Sequence, residues 1–258
     1  MIPNSLLEKY PLDLDKWAIL LAYRGSVAHG MYIPNSDPNS IDDIDLMGIC
    51  VPPIEYYFGL REFGTRGTKE IKFEEYDIVI YEAKKFISLL SQGNPNVLSM
   101  LWLEDSMFLR QSQAGKYLLQ NRVVFVGKHV YNSFIGYAYG QLHRMTHYKF
   151  EGYMGEKRKS LVDRYGYDCK NAAHLIRLLR MAIEFLRDGH LHVKRIDAEE
   201  LLEIKRGRWT LDQVVKESER LFKIAEVEYQ KSMLPETINM GLVNEVSTYV
   251  IKLALKER

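Results

Sequence analysis

Two aspartates, Asp43 and Asp45, stand two residues apart in the segment SIDDIDLMGICV. In an extended strand, residues two apart place their side chains on the same face. Two carboxylates that point into one small space repel each other unless a cation neutralises them. Oxygen ligands of this kind suit Mg²⁺, which takes the rest of its shell from water and substrate phosphates. The pair is therefore a candidate metal site, although solvent-exposed loops also often carry Asp-x-Asp.

A Gly-Ser pair upstream, Gly25 and Ser26, is a candidate phosphate-binding turn. It ends the apolar run from Trp17 to Arg24, which reads as a buried strand, and a brief helix is predicted to follow it. The free N–H groups at a helix start attract phosphate oxygens. Gly25 would let the backbone approach closely, and Ser26 would add its hydroxyl.

A third acidic residue is predicted on the next strand, which the pattern places from about Ile71 to Tyr81. Asp77 and Glu75 alternate with apolar residues there and share one face under the period-2 rule. Both remain candidates for the third carboxylate of the site.

A basic stripe lies on the segment Cys169 to Asp188, which has the clearest amphipathic helical pattern and ends before Gly189. Lys170, His174 and Arg177 stand at i, i+4 and i+7, so they occupy one face of this helix. Such a stripe is most often solvated surface. The alternative is that it binds the β- and γ-phosphates of a nucleotide, with Arg177 making a bidentate contact.

The elements that would position these residues change character along the chain. Three predicted strands fill the first third, helical patterns begin at about Glu82, and the chain is predicted to be mostly helical from about Lys128. We therefore predict two domains, a catalytic domain over 1–127 and a helical nucleotide- or acceptor-binding domain over 128–258.

The composition of the 258 residues, 47% hydrophobic and 27% charged, is typical of a soluble globular protein. No apolar run is long enough for a membrane helix, and the N-terminus lacks the layout of a secretory signal. Cys50 and Cys169 are far apart and predict reduced core residues with no disulfide partner. A cytoplasmic location with no membrane partner is expected. The net charge of +1 hides an asymmetry: residues 1–110 hold 10 Lys and Arg against 16 Asp and Glu, and the remainder holds 25 against 18.

The pattern of Gly-Ser, Asp-x-Asp and a distant third Asp resembles the DNA polymerase β-like nucleotidyltransferase superfamily. More narrowly, five blocks in the same order resemble the RNA repair pathway (RNA-ligase-associated) nucleotidyltransferase family: GSVAHGMY, SIDDIDLMGICVPP, YDIVIYEAKKF, GNPNVLSMLW and YDCKNAAHLIRLLRMAIEFL. The resemblance runs from about residue 22 to about residue 210. It implies an α+β fold, in which a polymerase β-type palm (a small mixed sheet with flanking helices) precedes a mostly helical domain.

The resemblance also implies two-metal nucleotidyl transfer, in which a nucleoside monophosphate passes from an NTP to an acceptor hydroxyl and pyrophosphate is released. The two ions would be Mg²⁺, or alternatively Mn²⁺, and the NTP would be ATP or another ribonucleotide. Asp43 and Asp45 would hold both metals, and Asp77 would bind the catalytic one. The basic helix would contact the nucleotide, and the acceptor would be an RNA end.

Three alternatives stay open at this point. The family commonly reads Ser-Asp-x-Asp, whereas Asp42 precedes Asp43 in this chain and should face away from it on strand alternation. The acceptor could be a small molecule or a protein hydroxyl, since one fold serves many acceptors. A non-catalytic nucleotide-binding module is a further alternative, although the three acids needed for catalysis are present.

Overall fold

A computed structural model of the protein describes residues 3–34, 36–37, 40, 42–147 and 156–257. Among the described helices, none combines the length and the apolar character that a membrane span requires.

The chain forms two compact units, each built from separate stretches of sequence. Unit 1 contains Met1–Ala28, Asp43–Val126 and Ile238–Arg258, whereas unit 2 contains His29–Asp42 and Gly127–Thr237. The main segment of unit 2 begins at Gly127, and the second domain was predicted over 128–258. A single boundary after residue 127 does not describe the units. Segment 29–42 belongs to unit 2, and segment 238–258 belongs to unit 1.

Unit 1 is built on a five-stranded mixed sheet, which confirms the predicted α+β fold. The strands in chain order are β1 (Ala18–Tyr23), β2 (Ile44–Cys50), β3 (Thr68–Phe73), β4 (Tyr76–Glu82) and β5 (Phe108–Gln111). Their order in the sheet is β3-β4-β2-β1-β5. The β2–β4 pair is parallel and the other three pairs are antiparallel.

Apolar residues explain the two central strands. β1 (AILLAY) is buried over nearly its whole length, and β2 becomes fully buried from Leu46 onward. Long apolar runs of this kind are typical of strands covered on both faces. Both strands were predicted from the sequence, and both are confirmed.

The prediction of one strand from Ile71 to Tyr81 is wrong, because the chain turns back on itself in the middle of that segment. β3 and β4 form an antiparallel hairpin, with Phe73 opposite Tyr76 and a turn at Glu74 and Glu75. Glu74 has a left-handed backbone, with φ of 53°. The turn contains no Gly, Asn or Pro to indicate it, so the period-2 pattern was read straight through it.

The helices are listed here in chain order: α1 (Asn4–Lys9), α2 (Gly25–Ala28), α3 (Glu55–Phe58), α4 (Ala83–Ser91), α5 (Pro95–Ser99), α6 (Gln113–Gln120), α7 (Val130–His147), α8 (Glu156–Tyr165), α9 (Cys169–Asp188), α10 (Ala198–Lys205), α11 (Leu211–Lys231) and α12 (Met240–Lys256). Short irregular turns add a π-helix at Leu12–Lys16 and 3₁₀ turns at Met100–Trp102, Asp105–Met107 and Arg122–Phe125.

The flanking helices of unit 1 include α12, although it comes from the distant C-terminal segment. α12 packs on α6 and α4. Val243, Val246 and Val250 are buried along one side of it, at the spacing of an amphipathic helix.

Unit 2 is organised around α9, which packs against α7, α10 and α11. The Asp168 side chain caps the start of α9 by accepting a hydrogen bond from the Asn171 backbone. Gly189 ends the helix in a left-handed conformation, with φ of 65°, as the sequence predicted. The predicted capping box of Thr210 and Gln213 at the start of α11 is also present.

Candidate active site

Two acidic residues lie side by side at the starts of the two parallel strands in unit 1. Asp45 on β2 and Asp77 on β4 are direct register partners. Register partners on neighbouring strands project from the same face of a sheet, so both carboxylates leave the same side. Both residues are partly buried, whereas Asp43, one residue before β2, is exposed.

The Gly-Ser turn is packed against one of these carboxylates. Gly25 has a φ of +60°, which side chains other than glycine rarely adopt. A Cβ atom at this position would stand 3.1 Å from the carboxyl carbon of Asp45 and closer still to one of its oxygens. The Arg24 backbone N–H donates to the Asp45 carbonyl at 2.9 Å, and the Arg24 guanidinium lies 3.6 Å from the Asp45 carboxylate. The turn at Gly25 is therefore packed directly against the acidic strand.

The geometry favours Asp77 over Glu75 as the third carboxylate. Glu75 lies in the β3–β4 turn with an exposed side chain, and its backbone carbonyl accepts from Ile44 N–H at 2.9 Å. Asp77 is on β4 itself, beside Asp45. Strand alternation alone predicted both acids as equal candidates, whereas the strand register places only Asp77 beside Asp45.

The acids fit a hard, oxygen-seeking cation by their chemistry and by the shared face of Asp45 and Asp77. Within the part of the chain that the structure describes, no three His, Cys, Asp or Glu side chains are gathered closely enough to hold a metal by themselves.

Asp42, the residue before Asp43, belongs to unit 2 and makes its contacts there, not with Asp45 and Asp77. Its side chain is fully buried and forms an ion pair with the buried Lys205 ammonium. It accepts a hydrogen bond from Ile33 N–H at 3.0 Å, and the Lys170 ammonium lies 3.2 Å away. Burial alone would raise the pKa of Asp42, but the charge and hydrogen bond of Lys205 lower it overall. Lys170, predicted to contact nucleotide, thus pairs with Asp42 in this structure.

The other predicted basic residues lie deeper on α9. Arg177 is only 7% exposed, and its Nη1 donates to Nε2 of His29 at 2.6 Å. The Nδ1–H of His29 donates to the Val193 carbonyl at 2.8 Å. Burial lowers the pKa of Arg177 to about 9, so it remains protonated at pH 7. His174, three residues before Arg177 on α9, is partly buried.

Apart from the extra Asp42, no sequence pattern indicates these pairings within unit 2. Asp42 and Lys205 are 163 residues apart, and His29 and Arg177 are 148 apart. The one available signal was the extra Asp42 itself, since an unexplained acid beside an apolar strand needs a buried partner.

The small mixed sheet is consistent with the fold of polymerase β-type nucleotidyltransferases. It carries two acids at paired positions of its parallel strands, and a Gly-Ser turn packs against one of them. Residues 14–237 match the model of the RNA repair pathway DNA polymerase beta family, and the chain belongs to this family. Membership of this family makes it a nucleotidyltransferase of the RNA repair class. A search of curated proteins gave no match to the chain.

Proposed function

We propose that this protein transfers a nucleoside monophosphate from a ribonucleoside triphosphate to a hydroxyl at an RNA end, in a reaction that depends on Mg²⁺. The observation that carries the proposal is the register of Asp45 with Asp77 beside the Gly25 turn. In the reaction, the acceptor oxygen bonds to the α-phosphorus, the bond from that phosphorus to the pyrophosphate oxygen breaks, and pyrophosphate leaves.

The acidic residues have separate parts in this proposal. Asp43, Asp45 and Asp77 would hold the metal, which when bound supplies the positive charge that stabilises the attacking and leaving oxygens. Asp77 would also orient the acceptor hydroxyl and take up its proton. Ser26 would donate its hydroxyl hydrogen to a phosphate oxygen. In unit 2, Lys170 and His174 would contact phosphates, and Arg177 would support that face through its hydrogen bond to His29.

The test is pyrophosphate release from each of the four NTPs, with and without mixed RNA, in the presence of Mg²⁺ or EDTA. We expect release that needs metal and RNA and that falls on the order of 100-fold or more in Asp45→Asn and Asp77→Asn, because each change removes a proposed metal ligand.

Glu75→Gln is the matched control, since it makes the same carboxylate-to-amide change two residues from Asp77 on an exposed turn. It should leave release unchanged. Equal losses in Glu75→Gln and Asp77→Asn would refute the assignment of the third acid. Release that needs metal but proceeds without RNA would point to a small-molecule or protein acceptor. NTP binding without any release in any condition would favour a binding module.

A further inference from the structure

A pocket with both apolar and charged lining residues lies in unit 1, away from the carboxylates. It has a volume of about 570 Å³ and is formed by the start of β1, the end of β5, the start of α6 and the end of α12. β1 is antiparallel to β2, with Ala18 opposite Cys50 and Tyr23 opposite Leu46. The pocket is at the Ala18 end, whereas Asp45 is next to Leu46. Five residues of strand therefore separate the two sites, which corresponds to about 16 Å.

The charged residues that line this pocket are mostly cationic. Lys16, Arg110 and Lys116 face a single carboxylate, that of Glu257. The Arg110 side chain is fixed, because its Nε donates to the Ala18 carbonyl at 2.7 Å and its Nη1 lies 3.5 Å from Asp15. Lys16 and Lys116 are exposed, and neither forms an ion pair within the residues that the structure describes. Residues 1–110 carry more acidic than basic side chains, so a cationic pocket here is a local exception.

An anionic oxygen already occupies one position in this pocket. Oε1 of Glu257 accepts a hydrogen bond from the Ala114 backbone N–H at 2.9 Å, in the first turn of α6. Negative groups are favoured at that position because the first N–H groups of a helix have no partner within the helix. Glu257 is exposed and follows the last residue of α12, so it can be displaced without breaking the helix.

We propose that this pocket binds a phosphate group of a ribonucleotide unit, with Lys16, Lys116 and Arg110 as its cations and the start of α6 as its donor, in place of Glu257. Phosphate is larger than a carboxylate and carries more negative charge, and flexible lysines bind it as point charges. The proposal rests on the proposed function only in naming RNA as the acceptor. It gives that acceptor a contact far from its reacting end.

The test measures binding of a fluorescein-labelled RNA hexamer by anisotropy, in EDTA and without NTP. The Lys16→Ala/Lys116→Ala protein should bind about 10-fold more weakly and lose roughly 0.7 from the slope of log affinity against log salt, the value for one phosphate contact of a single strand. Glu257→Gln should act in the opposite direction and bind about 3-fold more tightly, because it removes the competing negative charge.

Lys84→Ala/Lys252→Ala is the matched control, since both lysines are exposed in unit 1, lie outside the pocket and give the same change in net charge. The control should leave both affinity and salt slope as in the wild type. Unlabelled AMP provides the second arm. Displacement of the hexamer by AMP supports a free mononucleotide as the natural ligand, whereas no displacement supports an RNA strand.

Equal binding by the pocket variant and the control would overturn the proposal, and so would absence of hexamer binding to the wild type. These results are independent of catalysis, because no metal or NTP is present. A protein that binds the hexamer through Lys16 and Lys116 but releases no pyrophosphate would keep the pocket and lose the proposed reaction.

Discussion

At the scale of single residues, Gly25 leaves the space that the Asp45 carboxylate occupies. We predict that Gly25→Ala lowers pyrophosphate release by about 10-fold or more, since a methyl group would push the Asp45 carboxylate out of position and small misplacements are costly in catalysis. The left-handed backbone should add a stability cost of about 1–2 kcal/mol. Steady-state release and thermal unfolding would measure the two effects.

Gly166→Ala separates strain from displacement in this prediction. Gly166 has a φ of +80°, and nothing lies within 4 Å of the place its Cβ would take. It should lose similar stability and keep its activity within about two-fold. Equal losses of activity in Gly25→Ala and Gly166→Ala would show that the close approach of Gly25 to Asp45 does not contribute to catalysis.

His29 makes a second prediction, on pH. Burial, with the charge of Arg177 nearby, lowers the pKa of His29 well below its usual range. In the unfolded chain, His29 would take up a proton near pH 6.5, whereas in the folded protein it stays neutral at that pH. The free energy of unfolding therefore falls as the pH drops below that value. We expect the unfolding free energy to fall by up to about 1.4 kcal/mol per pH unit from this group between pH 6.5 and 5.

Comparison of urea titrations at pH 7 and pH 5.5 for wild type and His29→Gln would isolate the contribution of His29. The variant has an amide that does not titrate, so its stability should depend less steeply on pH. Identical slopes for the two proteins would show that His29 is not held neutral in the folded state.

At this scale the sequence predicted what depends on neighbours along the chain. The Gly-Ser turn and the alternation of Asp43 with Asp45 are local features, and both led to the carboxylate site. Asp42 and Arg177 were different, because their surroundings are made by residues more than a hundred positions away. Residue type alone predicted neither the ion pair of Asp42 with Lys205 nor the hydrogen bond from Arg177 to His29.

Among the elements, α9, α10 and α11 share one arginine. Arg180 on α9 binds Asp197 and Glu200 at 2.7 Å each and lies 3.5 Å from Glu217. We predict that Arg180→Met costs about 2 kcal/mol at pH 7, because it leaves these acids facing one another without their shared cation. Chemical unfolding of the two proteins would give the difference.

The same variant should show a defined pH dependence. Burial alone would raise the pKa of Asp197, but hydrogen bonds from Arg195 and Arg180 lower it overall. A lowered carboxylate pKa gives stability that is present above the ordinary value near 3.9 and is lost as the pH falls through the folded value. The gap between wild type and Arg180→Met should therefore be widest near pH 7 and shrink below about pH 4.

Arg187→Met is the control for Arg180. Arg187 is also on α9 but is 51% exposed, and its close acidic partner among the described residues is Glu228, at 2.8 Å. Exposed pairs contribute at most about 1 kcal/mol, so this change should be small. Comparable losses in both variants would mean that Arg180 does not join the helices as the contacts suggest.

The elements also show where sequence patterns reach their limit. The amphipathic pattern of α9 ended at Gly189 in sequence and in structure, because both the buried face and the stop signal are encoded locally. The β3–β4 hairpin has no such signal, since Glu74 adopts its left-handed backbone without the usual turn residues. Only pairing across the hairpin reveals the turn.

On the scale of the whole molecule, unit 1 needs residues that are distant in sequence. We predict that removal of residues 238–258 destabilises unit 1 by about 4 kcal/mol or more, since α12 buries Val243, Val246, Val250 and Ala254 against it. Circular dichroism melting and limited proteolysis of the shortened protein would test this. An unchanged melt of unit 1 would contradict the packing of α12 on α6 and α4.

Val250→Ala is a milder version of the same test. Val250 has no exposed surface, so the change should cost about 1–3 kcal/mol in the intact chain, whereas Val227→Ala on the 46% exposed Val227 of α11 should cost little. The alternation of residues between the units could not be read from the sequence, because amphipathic helices do not specify which partner covers them.

The order of the segments has a consequence for biosynthesis. Segment 238–258, which completes unit 1, leaves the ribosome after every residue of unit 2. Unit 2 can therefore reach its final packing while unit 1, with Asp43, Asp45 and Asp77, still lacks one of its flanking helices. In the nascent chain, unit 1 would gain the cover of α12 on α6 and α4 only after all of unit 2 has been synthesised.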